Sequence, residues 1–213
     1  MSYEYVVATE TDREMVREAL AEYFYPEEPL TLAHRDGSDV TMDDMETALS
    51  FLKKGTTILA RLDGEIVGLA IGGLSEDVSS VPIITRKYAD IVAFLECLSA
   101  RASDAESFTS SYHVYILAVH PAHRGHSIGR RLMEKQIELV RARWPTVLTV
   151  TVEATSTTSL RLMKRIGMHE TARLSFAEYR DDAGEQVFFG TGEATRLKLQ
   201  MCEEAMSVSS VVG

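Results

Sequence analysis

The hydrophobic rhythm of the chain changes most sharply between His113 and Trp144. Tyr115, Leu117 and Val119 alternate with Ile116 and Ala118, which predicts a strand buried on both faces. After Val119 the apolar run breaks at His120-Pro-Ala-His-Arg-Gly-His-Ser127, a short basic turn. Beyond it Ile128, Leu132, Gln136 with Ile137, Val140 and Trp144 recur at helical spacing and predict a long amphipathic helix.

The remaining pattern fills in one continuous α/β domain. Tyr3 to Thr9 reads as a strand, and Asp12 to about Tyr25 as an amphipathic helix opened by a Thr/Asp cap. Met45, Leu49 and Leu52 place a second helix over Met42 to Lys54. Thr56 to Arg61 and Glu65 to Gly73 form a hairpin about Asp63-Gly64, a strong turn signal. A helix over Ile84 to about Ala102 precedes a polar loop, Ser103 to Ser110. Val147 to Val152 is a strand, and Thr155-Ser-Thr-Thr-Ser159 caps the helix Leu160 to Ile166, which Gly167 closes. Met168-His-Glu-Thr begins another strand, and two long strands, Ala172 to Tyr179 and Gln186 to Leu199, meet at Asp181-Asp-Ala-Gly184. The domain is placed at 1–203, with a flexible tail expected over 204–213.

Composition narrows the function classes without choosing among them. The 213 residues, 45% hydrophobic and 25% charged, suffice for one domain with a sizeable core. No apolar run reaches the ~20 residues of a membrane helix. Met-Ser-Tyr-Glu-Tyr lacks the basic and apolar regions of a secretion signal, so a cytoplasmic setting is expected. Cys97 and Cys202 suggest neither a disulfide framework nor a metal site, and Cys97 reads as helix core. His113, His120, His123 and His169 show no metal spacing. A net charge of −10 argues against nucleic acid and favours a cationic partner weakly. The oligomeric state is left open, with a monomer as the default.

The turn before the long helix carries the chemistry. It lies where a helix presents its orphan N–H groups and the positive end of its dipole. Gly125 and Gly129 allow close backbone approach, while Arg124, Arg130 and Arg131 add positive charge. These features suit a pyrophosphate. Arg124-Gly125-His126-Ser127-Ile128-Gly129, following Val119-His120-Pro121, resembles the Arg/Gln-x-x-Gly-x-Gly/Ala motif of the GNAT acyl-CoA-dependent N-acyltransferases. Ser127 stands where the family has its first motif glycine. The later helix, Ile166-Gly167-Met168 junction and strand resemble the family's second conserved unit. The resemblance implies a mixed central sheet with helices on both faces, and acetyl-CoA as co-substrate. It places the cofactor on Leu117, Ala118, Val119, Arg124, Gly125, His126, Ser127, Ile128, Gly129, Arg130 and Ser159. Leu117 to Val119 would pair with the pantetheine arm and supply donors for the thioester oxygen. His126 either touches a phosphate or lies in solvent.

Phe24-Tyr-Pro-Glu-Glu-Pro-Leu30 is similar to a segment of the arylalkylamine N-acetyltransferases of the insect dopamine N-acetyltransferase type, and Phe176-Ala-Glu-Tyr179 with Glu185-Gln-Val-Phe188 resembles that group's strand pair. The resemblance makes Glu28 the general base, although local sequence alone reads it as a loop acid beside Glu27. A base is required because a primary amine with a pKa near ~10.4 is only about 10⁻³ neutral at pH 7. Positioned base catalysis contributes ~10²–10⁴, comparable to that deficit. Ser159 is the candidate donor to the departing thiolate, with Thr155 or Ser156 as the second hydroxyl of the group's serine-rich turn. Its other reading, a helix cap, is compatible.

The expected reaction is direct attack by the amine in a ternary complex, without metal. The expected acceptors are arylalkylamines of the dopamine, tyramine, serotonin and tryptamine type. Ser75 to Ser110 matches the group poorly, so other acceptors stay open: agmatine, a polyamine, an amino acid or a protein lysine. So does a non-catalytic acyl-CoA-binding module.

Overall fold

Thr57–Leu62 (β2) and Glu65–Leu74 (β3) are joined by Asp63 and Gly64, both with positive φ (52° and 91°), the signature of a tight hairpin turn. The computed structural model describes residues 2–77, 81–102 and 111–201. The loop expected over 103–110, the tail expected over 204–213 and Cys202 lie outside the described residues.

Around the hairpin the chain builds a mixed sheet. Its other strands are Glu4–Val7 (β1), Tyr112–Val119 (β4), Thr149–Ala154 (β5), His169–Ser175 (β6) and Glu193–Gln200 (β7). Their order is β1-β2-β3-β4-β5-β7-β6, and every pairing is antiparallel except β4 with β5. The helices are Arg13–Tyr23 (α1), Pro29–Ala33 (α2), Met42–Ser50 (α3), Arg86–Arg101 (α4), Ile128–Arg143 (α5) and Thr157–Arg165 (α6).

The helices divide between the two faces, as expected of a mixed α/β sheet. Val16, Leu20, Met45 and Leu49 of α1 and α3 pack on Leu59, Leu69, Ile71 and Ile116. On the opposite face Met133 and Val140 of α5 and Met163 of α6 meet Tyr112, Val114, Val150 and Val152. Phe94 and Leu98 of α4 join Leu174, Phe176 and Phe188 in a third cluster, against which Cys97 packs partly buried. Burying a Leu or Phe side chain stabilises by about 1.5–3 kcal/mol, so these clusters fix the helices on the sheet.

Three elements differ from the sequence reading. The strand expected over Ala172 to Tyr179 begins at His169 and ends at Ser175, and its partner forms only from Glu193. Residues 176–192 instead make single bridges, Arg180 to Gln186 and His34 to Phe188. Val187 and Phe188 look like strand residues because they are fully buried, but they pack against α4 and the end of α2. The first helix likewise stops at Tyr23, and a five-residue helix follows from Pro29.

Candidate active site

β4 and β5 pair for only three residues, Tyr112 with Val150, His113 with Thr151 and Val114 with Val152. Beyond Val114 the strands part, although β4 stays paired with β3 as far as Val119 and β5 with β7 as far as Ala154. The parting begins at a bulge, where Ile71 faces Ile116 but Gly72 faces Val114, leaving Tyr115 as the extra residue. An extra residue bends its strand and re-aims the side chains that follow. Tyr115 is consequently 43% exposed, and Leu117 and Val119 are partly exposed. This corrects the expectation of a strand buried on both faces: its C-terminal half has one open edge.

That edge offers hydrogen bonds. His120 donates its N–H to the Val67 carbonyl at 3.0 Å. By the alternation of a strand, the N–H groups of Leu117 and Val119 point the other way, into the gap.

The turn after β4 opens α5 with its donors free. Arg131 N–H bonds the Ser127 carbonyl, so the N–H groups of residues 127 to 130 precede the first turn's partners. Ser127 makes no side-chain cap bond to these donors. Gly125 has φ +84° and open space where a Cβ would stand, so a ligand can approach its backbone closely. Gly129 serves packing instead. A Cβ there would lie 3.3 Å from Leu162 and 3.6 Å from Val119, so its absence lets α5 sit against α6 and β4. Ile128 is buried and can offer a ligand only its backbone.

The side chains of the turn are already engaged. Arg124 donates to the Val119 carbonyl at 3.2 Å and to Glu27 at 2.6 Å, tying the turn to the corner before α2. Arg130 and Arg131 both bind Glu134 from exposed positions. The exposed His126 ring lies 3.2 and 3.1 Å from the carbonyls of His123 and Arg124. Backbone N–H groups, rather than arginine heads, are therefore the donors ready for an anion.

Glu28 is partly buried at the corner between α1 and α2. It is the N-cap of α2, accepting the Thr31 N–H at 2.6 Å, and its own N–H bonds the Tyr25 carbonyl at 3.3 Å. Across from it Ser156 caps α6. Ser156 Oγ accepts the Ser159 N–H at 3.2 Å and lies 2.9 Å from Ser159 Oγ, while the Ser159 hydroxyl donates to the Ser156 carbonyl at 2.9 Å. The capping role expected of this pair is thus realised. A cavity of about 440 Å³ is lined by Pro29, next to Glu28, and by Ala154 to Thr157, Leu160 and Gly192 to Glu193. Pro29 and Ser156 thus line one space, while Glu28 and Ser159 are not among its lining residues.

Three further groups escaped the sequence reading. Tyr115 packs at a tilt on Phe51 with ring centres 4.9 Å apart, and burial of its hydroxyl, with Glu153 and Asp77 nearby, pushes it up to about 12. Glu153, at the end of β5, is bound by His113 at 2.6 Å and by Arg196; burial alone would raise its carboxyl, but these partners outweigh that and hold it low. Asp44 of α3 is bonded by the Tyr25 hydroxyl at 3.0 Å. Burial pushes it up to about 7, with Glu28 and Asp43 adding to the rise and Tyr25 opposing it. No local pattern announces such a group, because its environment is assembled from the segment between α1 and α2, from α3 and from α4.

Residues 13–168 match the acetyltransferase (GNAT) family. A mosquito arylalkylamine N-acetyltransferase-like 5b structure is 29% identical, superposes with a TM-score of 0.87, and the match covers 94% of this chain and 100% of that one. A Drosophila melanogaster polyamine N-acetyltransferase, described as forming N-acetylagmatine, is 25% identical with a TM-score of 0.82 and the same coverage. An L-methionine sulfoximine/L-methionine sulfone acetyltransferase of Salmonella typhimurium is 32% identical over 74 residues, which span 35% of this chain and 42% of that relative.

Proposed function

The chain belongs to the GNAT acetyltransferase family, and from that premise we propose that it transfers an acetyl group from acetyl-CoA to the primary amine of an arylalkylamine, with Glu28 as general base. The observation that carries this reading is the gap between β4 and β5, flanked by the free N–H groups of α5 and by the Glu28 corner. The residues fit the co-substrate. A diphosphate meets the N-terminus of a 16-residue helix and the uncovered backbone at Gly125. The pantetheine arm meets the open edge of Leu117 to Val119.

Acetyl-CoA supplies the acetyl thioester: the amine nitrogen bonds to its carbonyl carbon and the C–S bond breaks. The N–H groups of Leu117 and Val119 stabilise the charge growing on the carbonyl oxygen, and one such donor is typically worth ~3 kcal/mol. Glu28 takes the proton the nitrogen must lose. The Ser156–Ser159 pair hands a proton to the thiolate sulfur, Ser156 from the cavity lining and Ser159 through its contact with the Ser156 hydroxyl. Tyr115, backed by the buried Phe51 ring, offers an aromatic acceptor an apolar surface beside the gap. Support for this acceptor class also comes from the mosquito arylalkylamine N-acetyltransferase-like structure.

The test is thiol release from acetyl-CoA against tyramine, dopamine, serotonin, phenethylamine, agmatine, spermidine, free amino acids and a lysine peptide. Turnover led by the aromatic amines is the expected result. Turnover confined to amino acids or the peptide would overturn the acceptor assignment. A second reading, agmatine or a polyamine as acceptor, is supported by the Drosophila melanogaster polyamine N-acetyltransferase structure.

A further inference from the structure

Where β4 and β5 part, a buried cluster of charged and polar side chains stands outside the reaction described above. Val114 with Val152 is the last pair of the two strands, and His113 with Thr151 is the pair before it. The next residue of β5 is Glu153, which by alternation returns to the face that His113 and Thr151 share. His113 reaches across the opening. Its Nε2–H donates to the Glu153 carboxylate at 2.6 Å, and its Nδ1 lies 2.8 Å from the Thr151 hydroxyl. The side chains of His113 and Glu153 are only 10% and 8% exposed. From the other neighbour strand, Arg196 of β7 pairs with Glu153 and binds its carboxylate, and also donates to the Ser99 hydroxyl of α4 at 2.7 Å.

The same histidine touches the residue that opens the gap. Its ring makes a T-shaped contact with that of Tyr115, the extra residue of the β4 bulge, with centres 4.5 Å apart. His113 therefore holds both arms of the fork, β5 through Glu153 and Thr151, and the bulge of β4 through Tyr115. Burying a carboxylate is expensive, and here it is offset by partners from three elements: His113 of β4, Arg196 of β7 and Ser99 of α4. Directed bonds of this kind fix one register of the fork. A one-residue slip of β4 would turn the N–H groups of Leu117 and Val119 away from the gap.

We propose that His113 is a positioning residue for the co-substrate: with Glu153 and Arg196 it sets where β4 and β5 part, and so presents the Leu117 to Val119 edge to the pantetheine arm. This rests on the acetyl-CoA reading. The arm lies along that edge as an added strand, so its hydrogen bonds depend on the register of β4. The diphosphate is held by a different element, the start of α5. Disturbing the cluster weakens the contacts of the arm and spares those of the diphosphate.

The experiment measures, by calorimetry on the full chain, the affinity for coenzyme A and for adenosine 3′-phosphate 5′-diphosphate, the same molecule without its pantetheine arm. His113→Phe keeps an aromatic ring against Tyr115 and removes both hydrogen bonds. It is expected to weaken coenzyme A binding about tenfold, the worth of one hydrogen bond, and to leave the fragment within about twofold. His113→Gln, whose amide N–H can donate to Glu153, is expected to recover most of that loss. Glu153→Gln keeps the shape but sets an amide N–H₂ against the donors of His113 or Arg196. It is expected to show the same split between the two ligands, and it carries the test if His113→Phe does not fold. A merely structural role would weaken both ligands together or neither. The proposal is overturned by unchanged coenzyme A affinity in His113→Phe and Glu153→Gln, by equal losses for coenzyme A and the fragment, or by a loss in His113→Gln as large as in His113→Phe. A wild type that binds coenzyme A no better than the fragment would instead overturn the seating of the arm on β4, and this inference with it.

Discussion

Ser127 stands in the left-handed region, at φ 60° and ψ 17°, as the residue that opens α5. A side chain there costs roughly 1–2 kcal/mol, most for branched residues, which gives glycine at this motif position a physical reason. The departure of this chain from the motif is therefore one of strain, with the backbone geometry retained. Ser127→Val is expected to lose about 1–2 kcal/mol in chemical denaturation, whereas Ser127→Gly loses none, its strain relief offsetting glycine's extra chain entropy. Equal losses for both would mean that Ser127 contributes through its hydroxyl. The sequence located this turn because glycine spacing is local. It gave no sign that the side chain of Arg124 is spent on Glu27 and Val119, since Glu27 lies almost a hundred residues away. Asp44 was illegible for the same reason: its chemistry comes from burial and from Tyr25.

At the scale of elements, α6 shows how one residue pair can serve structure and chemistry. Ser156 and Ser159 satisfy orphan N–H groups at the helix start while Ser156 lines the cavity. Ser156→Ala is expected to cost about 1 kcal/mol of stability as a lost cap. If the pair also donates to the thiolate, kcat falls in Ser156→Ala and in Ser159→Ala alike, with a steeper loss at high pH. A loss of stability with kcat intact would leave the pair as a cap alone. The helices with clear periodicity, α1, α3, α4 and α5, were legible within a few residues. α2 was not, because five residues hold no period. The bulge at Tyr115 was hidden as well, since an extra residue leaves the alternation of apolar side chains unchanged in the sequence. The stretch Gln186 to Phe189 imitated a strand through its apolar content, yet that content serves packing against α4.

At the scale of the whole molecule, a buried charge makes stability depend on pH. Asp44 is raised to about 7 from an ordinary value of 3.8, so the folded state favours its protonated form. The sign follows: folding is opposed increasingly as pH climbs from about 4 through 7, and the cost disappears below the unfolded value. Asp44→Asn is expected to be more stable than the wild type by about 2 kcal/mol at pH 8, allowing for the partial exposure of the group, and by nearly nothing at pH 4. Urea denaturation at the two pH values measures the difference. No gain at pH 8 would mean that Asp44 is compensated in solution.

The proposed reaction turns on Glu28 accepting the amine proton at a corner fixed by Thr31, facing a thioester laid along β4. Glu28→Gln isolates that step, because the amide oxygen can still accept the Thr31 N–H while the base is gone. The measurement pairs tyramine-dependent thiol release with calorimetric binding of acetyl-CoA, for the wild type and the variant. The expected result is a kcat lower by ~10²–10⁴, with acetyl-CoA affinity within about twofold of the wild type. An undiminished kcat, or an equal collapse of acetyl-CoA binding, would contradict the assignment of Glu28 as the base.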